Sequence, residues 1–123
     1  MRDVISVPAP GLDLRRVYGH HQSRRSGPVD PLTGGRNLGP IAEQIRQTLR
    51  NMTHMLESAG SVLDRIVKMT VVLADAGDYD EMNRVWREFF PVDPPARTAC
   101  TLQLGNGNGV EIECIALAGK SPS

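Results

Sequence analysis

Pro94-Pro95-Ala96-Arg97-Thr98 sets one arginine at the start of an apolar stretch, and Val110-Glu111-Ile112-Glu113 sets two carboxylates on the next. Arginine presents a planar fork of donors that grips a carboxylate through two parallel hydrogen bonds. Glutamate can hold and move a proton when its pKa suits the task. Arg97 and Glu111 would both sit near a sheet with apolar neighbours, where charge needs a reason. An ordinary surface ion pair uses the same residue types, so the elements that carry them must decide.

Residues 99–104, Ala-Cys-Thr-Leu-Gln-Leu, and residues 110–117 both have the composition of half-buried strands. Gly105-Asn106-Gly107-Asn108-Gly109 between them accommodates positive φ almost anywhere, which predicts a hairpin. A hairpin symmetric about Gly107 pairs Cys100 with Cys114 and Arg97 with Leu117. It leaves Glu111 six residues from Arg97's partner, about 20 Å along the strands at the usual rise. A bulge with a shifted register, sheet curvature or a neighbouring subunit is then needed to bring the two together.

Upstream, residues 3–7 predict a short strand ended by Pro8 and Pro10. Residues 14–27 carry Arg15, Arg16, Arg24, Arg25, His20 and His21, with no apolar alternation. Adjacent histidines on a strand point to opposite sides and no third ligand is evident, so no metal site is expected. Aromatic interleaving is sparse, so the arginines do not read as an RNA surface. A solvated, loosely held loop is the expectation for this segment.

A helix is expected from Pro40, a residue suited to the first helical position. Ile41, Ile45, Leu49, Met52 and Leu56 recur at spacings of three and four, and Gly60 closes the helix as a left-handed cap. Arg46, Arg50 and His54 fall off that stripe and are expected to face solvent. Residues 66–73 read as a strand with Val67, Met69, Val71 and Leu73 on one face. Asp78 and Glu81 form a capping-box pattern at the start of a second helix. Met82, Val85, Trp86, Phe89 and Phe90 make its core stripe, Pro91 stops it, and Asn83 lies beside the stripe. The order predicts an α+β fold, a mixed β-sheet with two helices packed on one face.

With 123 residues and a formal net charge of zero, the chain reads as a single domain over residues 1–123 with no general attraction to nucleic acid or anionic membrane. It has no apolar run long enough to span a bilayer and no signal-peptide core at its start, and two cysteines make no disulfide framework. A reducing cytoplasm is the expected location.

Read as a series, these words resemble the RidA/YjgF family of reactive-intermediate deaminases. The likeness rests on Pro-Ala-Arg-Thr around Arg97, Val-Glu-Ile-Glu around Glu111, and Asp30-Pro31-Leu32-Thr33-Gly34. It also rests on Gln47-Thr48-Leu49-Arg50-Asn51, Ala59-Gly60, Ile66-Val67-Lys68-Met69-Thr70-Val71, Met82-Asn83 and Phe89-Phe90. The words keep their order across roughly residues 28–118. The main departure is residues 12–26, where the family has an apolar strand closing on Ser-Gly-Gln and this chain matches only Ser26-Gly27.

The resemblance implies hydrolytic deamination of enamine or imine intermediates of 2-keto acids, giving the keto acid and ammonia. It implies Arg97 as the carboxylate clamp and Glu111 as holder of the water. The backbone N–H of Ala99, Asn83, Ser26 and Gly27 become further substrate contacts, and Cys100 is given no role. It implies a homotrimer whose sheets pack around a central barrel, with pockets at the subunit interfaces and with neither metal nor organic cofactor. Two other classes within the family stay open: a keto-acid-binding trimer without turnover, and an RNA-cleaving inhibitor of translation.

Overall fold

A computed structural model describes residues 4–9, 12–18, 20–21 and 25–26 by their backbone, and residues 33–35, 38–105 and 107–118 in full. The strands are β1 (Val4–Ala9), β2 (Leu12–Tyr18), β3 (His20–His21), β4 (Arg25–Ser26), β5 (Ile66–Leu73), β6 (Ala96–Thr101) and β7 (Val110–Leu117), and the helices are α1 (Ile41–Ser58) and α2 (Tyr79–Phe89). Five strands form a mixed sheet in the order β1-β2-β7-β5-β6, while β3 and β4 make a separate two-stranded ladder. β5 runs parallel to β6 and antiparallel to β7. The predicted α+β architecture with two helices is what the chain adopts. No helix among the described residues is long and apolar enough to cross a membrane.

The helices cover one face of the sheet through the stripes that their periodicity predicts. Ile45, Leu49, Met52 and Leu56 of α1 and Met82, Val85 and Trp86 of α2 are buried. They pack against Met69, Val71 and Leu73 of β5 and Val110, Ile112, Cys114 and Ala116 of β7. α1 ends as expected: Gly60 has φ +79°, the Ser61 N–H donates to the Leu56 carbonyl at 2.8 Å, and the Gly60 N–H donates to the Glu57 carbonyl at 3.1 Å. That pattern ties up the last carbonyls of the helix. At the other end Pro40 is the N-cap rather than the first helical residue.

Further expectations need correction. The sheet places β5 between β6 and β7, so there is no hairpin across residues 105–109. A glycine-rich connection permits a tight turn but does not oblige the strands it joins to pair. Here β7 finds an antiparallel partner in β5, and β6 reaches the parallel side of β5 by the crossover through α2. Second, residues 12–18 are a strand, with Leu14 opposite Leu117, Arg16 opposite Ile115 and Tyr18 opposite Glu113. The ladder is made by backbone groups, so β7 gains a second partner whatever side chains the strand carries.

Third, the β5–β7 register shifts between Ile66 and Lys68. This bulge re-aims the strand, so Ile66 is buried with Met69 while Val67 is 43% exposed. Fourth, Asp78 makes no side-chain cap bond. A turn of 3₁₀ helix, Ala76–Asp78, precedes α2, and Asp75 caps it by accepting from the Gly77 N–H at 2.8 Å. The capping function has moved upstream with the start of the helical backbone.

Candidate active site

Arg97 sits on β6, the edge strand of the sheet, opposite Met69 of β5 and therefore on the helix-covered face. There α2 holds it from two directions. An Arg97 Nη donates to Asn83 Oδ1 at 2.8 Å, and Cζ lies 5.1 Å from the centroid of the Trp86 ring. Trp86 is itself buried and lies 5.7 Å, centroid to centroid, from Phe90. A guanidinium over an indole face is attracted by the ring quadrupole, and the amide acceptor fixes its rotation. Asn83 and Trp86 are three residues apart on α2, so one helix face supplies both supports. Among the described residues Arg97 has no carboxylate partner. Four of its five N–H donors are thus left over from the Asn83 bond.

Beside the guanidinium is a groove of about 330 Å³ whose lining includes Arg97, Asn83, Trp86 and Phe90, together with Pro94 and Pro95 at the entry to β6. It combines apolar walls with one partly buried cation, the composition of a site for a small organic anion. Ala99 lies two residues beyond Arg97 on the same face. The Leu102 N–H donates to the Leu73 carbonyl, so by strand alternation the even-numbered residues of β6 turn their backbone groups towards β5. Ala99 therefore presents its N–H to the open edge, and its carbonyl accepts from the Tyr79 hydroxyl at 3.3 Å. Arg97, Asn83 and the Ala99 backbone converge on one side of the molecule.

Glu111 does not join them. It lies opposite Val72, between the buried Val110 and Ile112, and so faces the side of the sheet that the helices leave uncovered. Cys100 flanks the same Val72 from β6. Within one chain Arg97 and Glu111 are on opposite faces, two strands apart, and neither the bulge at Val67 nor the register unites them. Ser26 falls on β4, opposite His20, and Gly27 lies outside the described residues. Among the described residues no group of three or more His, Cys, Asp or Glu could hold a metal ion.

Gln44 was not marked by the sequence as a site residue, yet it ties together the ground around β7. Its side chain is buried; Nε2 donates to the Gly39 carbonyl and Oε1 accepts from the Gly109 N–H, both at 2.9 Å. Gly109 packs closely here: a Cβ would stand 2.7 Å from Ile41 Cδ1 and 3.1 Å from Gln44 Oε1, so a larger residue would have to move those side-chain ends. The clamp fixes the backbone two residues before Glu111. The available signal was its spacing: Gln44 is three residues after Ile41, inside the apolar stripe, where a polar side chain requires a partner.

A family model described as endoribonuclease L-PSP matches residues 24–118. The chain belongs to the RidA/YjgF family. It is 37% identical over 92 residues to the human 2-iminobutanoate/2-iminopropanoate deaminase, a match spanning 74% of this chain and 67% of that one. It is 42% identical over 90 residues to a RutC family protein of Pyrococcus horikoshii, covering 72% and 71% of the two chains. The crystal structure of RidA from a Psychrobacter species superposes with a TM-score of 0.78 at 28% identity, covering 94% of this chain and 85% of the other. In this chain the sheet order puts the arginine of Pro-Ala-Arg-Thr on the helix side and the first glutamate of Val-Glu-Ile-Glu on the open side of the same sheet.

Proposed function

We propose that this RidA-family protein hydrolyses the imines of 2-keto acids to the keto acid and ammonia, in sites shared between the subunits of a homotrimer. The observation that carries the reading is the state of Arg97. It is held by Asn83 and Trp86, free of any described carboxylate, and set at the mouth of an apolar groove. A guanidinium so held is ready for the carboxylate of a small substrate, and the grip sets the imine carbon in place for attack. Water adds its oxygen to that carbon, the carbon–nitrogen bond breaks, and the nitrogen leaves as ammonia after taking up protons. Glu111 is the group assigned to hold the water and pass its proton.

The opposed faces of Arg97 and Glu111 favour a shared site. A second copy whose uncovered sheet face meets the β6 edge of the first brings one chain's Glu111 to the other's Arg97. The Ala99 N–H, at the same edge, serves as an additional donor to the substrate. Deaminase names among the relatives support the chemistry, and the protein is assigned no metal or organic cofactor. Location in a reducing cytoplasm agrees with two cysteines, Cys100 and Cys114, that are not joined in a disulfide.

The experiment is ammonia release from freshly generated 2-iminobutanoate, run on Arg97→Ala, Glu111→Gln and a refolded mixture of the two. Each variant alone is expected to be inactive. The mixture regains activity because some interfaces then combine an intact arginine with an intact glutamate. Full activity in Arg97→Ala sinks the deaminase reading, and a mixture that stays inactive while both variants assemble sinks the shared site.

A further inference from the structure

We propose that the Arg97 groove is built for dicarboxylic substrates, the imines of five-carbon 2-keto diacids, with Arg87 gripping the second carboxylate. The inference rests on the deaminase reading and names its substrate class. Arg87 lines the same groove as Arg97. It is exposed and, like Arg97, has no ion-pair or hydrogen-bond partner of opposite charge among the described residues. Arg84, three residues before it on α2, is by contrast paired with Glu81.

The arrangement suits the ligand. Asn83, which anchors the Arg97 guanidinium, and Arg87 are four residues apart on α2 and so lie on one face of the helix. The terminal carbons of an extended five-carbon diacid are separated by four carbon–carbon bonds of ~1.5 Å, about 5 Å in a zigzag. With one carboxylate on Arg97, the other extends along the groove that Arg87 also lines, within reach of that long, exposed side chain. Phe90, Pro94 and Pro95 offer apolar wall to the methylenes between them, and among the described residues of the same chain no aspartate or glutamate lines the groove. A monoacid satisfies Arg97 and leaves Arg87 unmatched, whereas a diacid meets both cations. The distal carboxylate takes no part in bond making; it positions C2 for the same addition of water and loss of ammonia.

Arg87 is exposed, so its pair with a carboxylate is worth at most about a fivefold gain in affinity. The test is calorimetric titration of 2-ketoglutarate and 2-ketobutyrate in one low-salt buffer, on the wild type, Arg87→Met and Arg84→Met. The wild type is expected to bind 2-ketoglutarate more tightly than 2-ketobutyrate, by up to about fivefold. Arg87→Met abolishes that preference, while Arg84→Met, changed one turn away outside the groove, keeps it. Equal or tighter binding of the monoacid by the wild type overturns the proposal, whatever the stability of the variants. A preference that survives Arg87→Met overturns it as well. Binding of neither acid by the wild type instead removes the deaminase reading, and this proposal with it.

Discussion

Replacing Arg97 with lysine keeps the charge and removes the plane. In the wild type one Nη is committed to Asn83 at 2.8 Å and the ring of Trp86 lies under Cζ at 5.1 Å, so the remaining edge of the guanidinium is presented in a fixed orientation. An ammonium keeps one strong contact with a carboxylate but not the second, parallel one. Losing one hydrogen bond to a charged group costs about 1.5–3 kcal/mol, which is roughly 10- to 150-fold in the dissociation constant of 2-ketobutyrate. The fold loses less. The cation–π contact of a half-exposed arginine contributes about 0.5–1 kcal/mol, and the Asn83 bond about 0.5–1.5 kcal/mol. Turnover is expected to fall further than affinity, because orientation of the imine carbon is lost along with the grip. Calorimetric titration with the keto acid, ammonia release from the imine and urea unfolding would be measured on the same preparation. If Arg97→Lys binds and turns over within about threefold of wild type, the bidentate clamp is not how this groove works.

Gln44→Met should cost about 1–3 kcal/mol in urea unfolding, mainly through the Gly109 N–H left without an acceptor, since the exposed Gly39 carbonyl can turn to water. Hydrogen bonding to Arg46, helped by its charge, holds the Glu88 carboxyl below the ordinary carboxylate value. Its contribution to stability is therefore present above the unfolded value of about 4.5 and is lost as pH falls through the lower folded value, so Glu88→Gln should flatten the acid limb of a melting-temperature profile. Asp78 behaves in the opposite sense. Burial, then the nearby Asp75 and Glu81 charges, raise its pKa, so the ionised form costs stability at neutral pH and Asp78→Asn should raise the melting temperature at pH 7 but not at pH 3.

The helices were legible from spacing alone, because a stripe at intervals of three and four has one geometric meaning. Ile45, Leu49, Met52 and Leu56 are buried as that stripe requires. Strand pairing was not legible, since a strand's composition states that it is half-buried and not which neighbour it takes. Gly105–Gly109 invited a local pairing, and the chain instead made two non-local ones through β5. The same limit applied at the site. Arg97 and Glu111 are recognisable one by one, but whether they share a face depends on β5 standing between their strands. Val67 shows how little is needed to defeat a period-two reading, because one bulge moved Ile66 into the core and Val67 out of it. Gln44 was discoverable in principle as a polar residue inside an apolar stripe, though its partner 65 residues away was not.

β6 is bonded to the rest of the described sheet along one side only, by a parallel ladder that the chain can close after α2 has docked. It is therefore the strand whose local opening disturbs least, and its inward amides, at Thr98 and Cys100, should exchange with deuterium well before those of β5, whose ladders run on both sides. The arginine proposed to anchor a substrate thus travels with the most readily released piece of the sheet. In the proposed binding mode a keto acid bridges that strand to α2 through Arg97 and Asn83, and any ligand that favours the closed form suppresses the opening in proportion to its occupancy. Added keto acid should accordingly slow exchange at Thr98 and Cys100 first, while the amides of β5 barely respond.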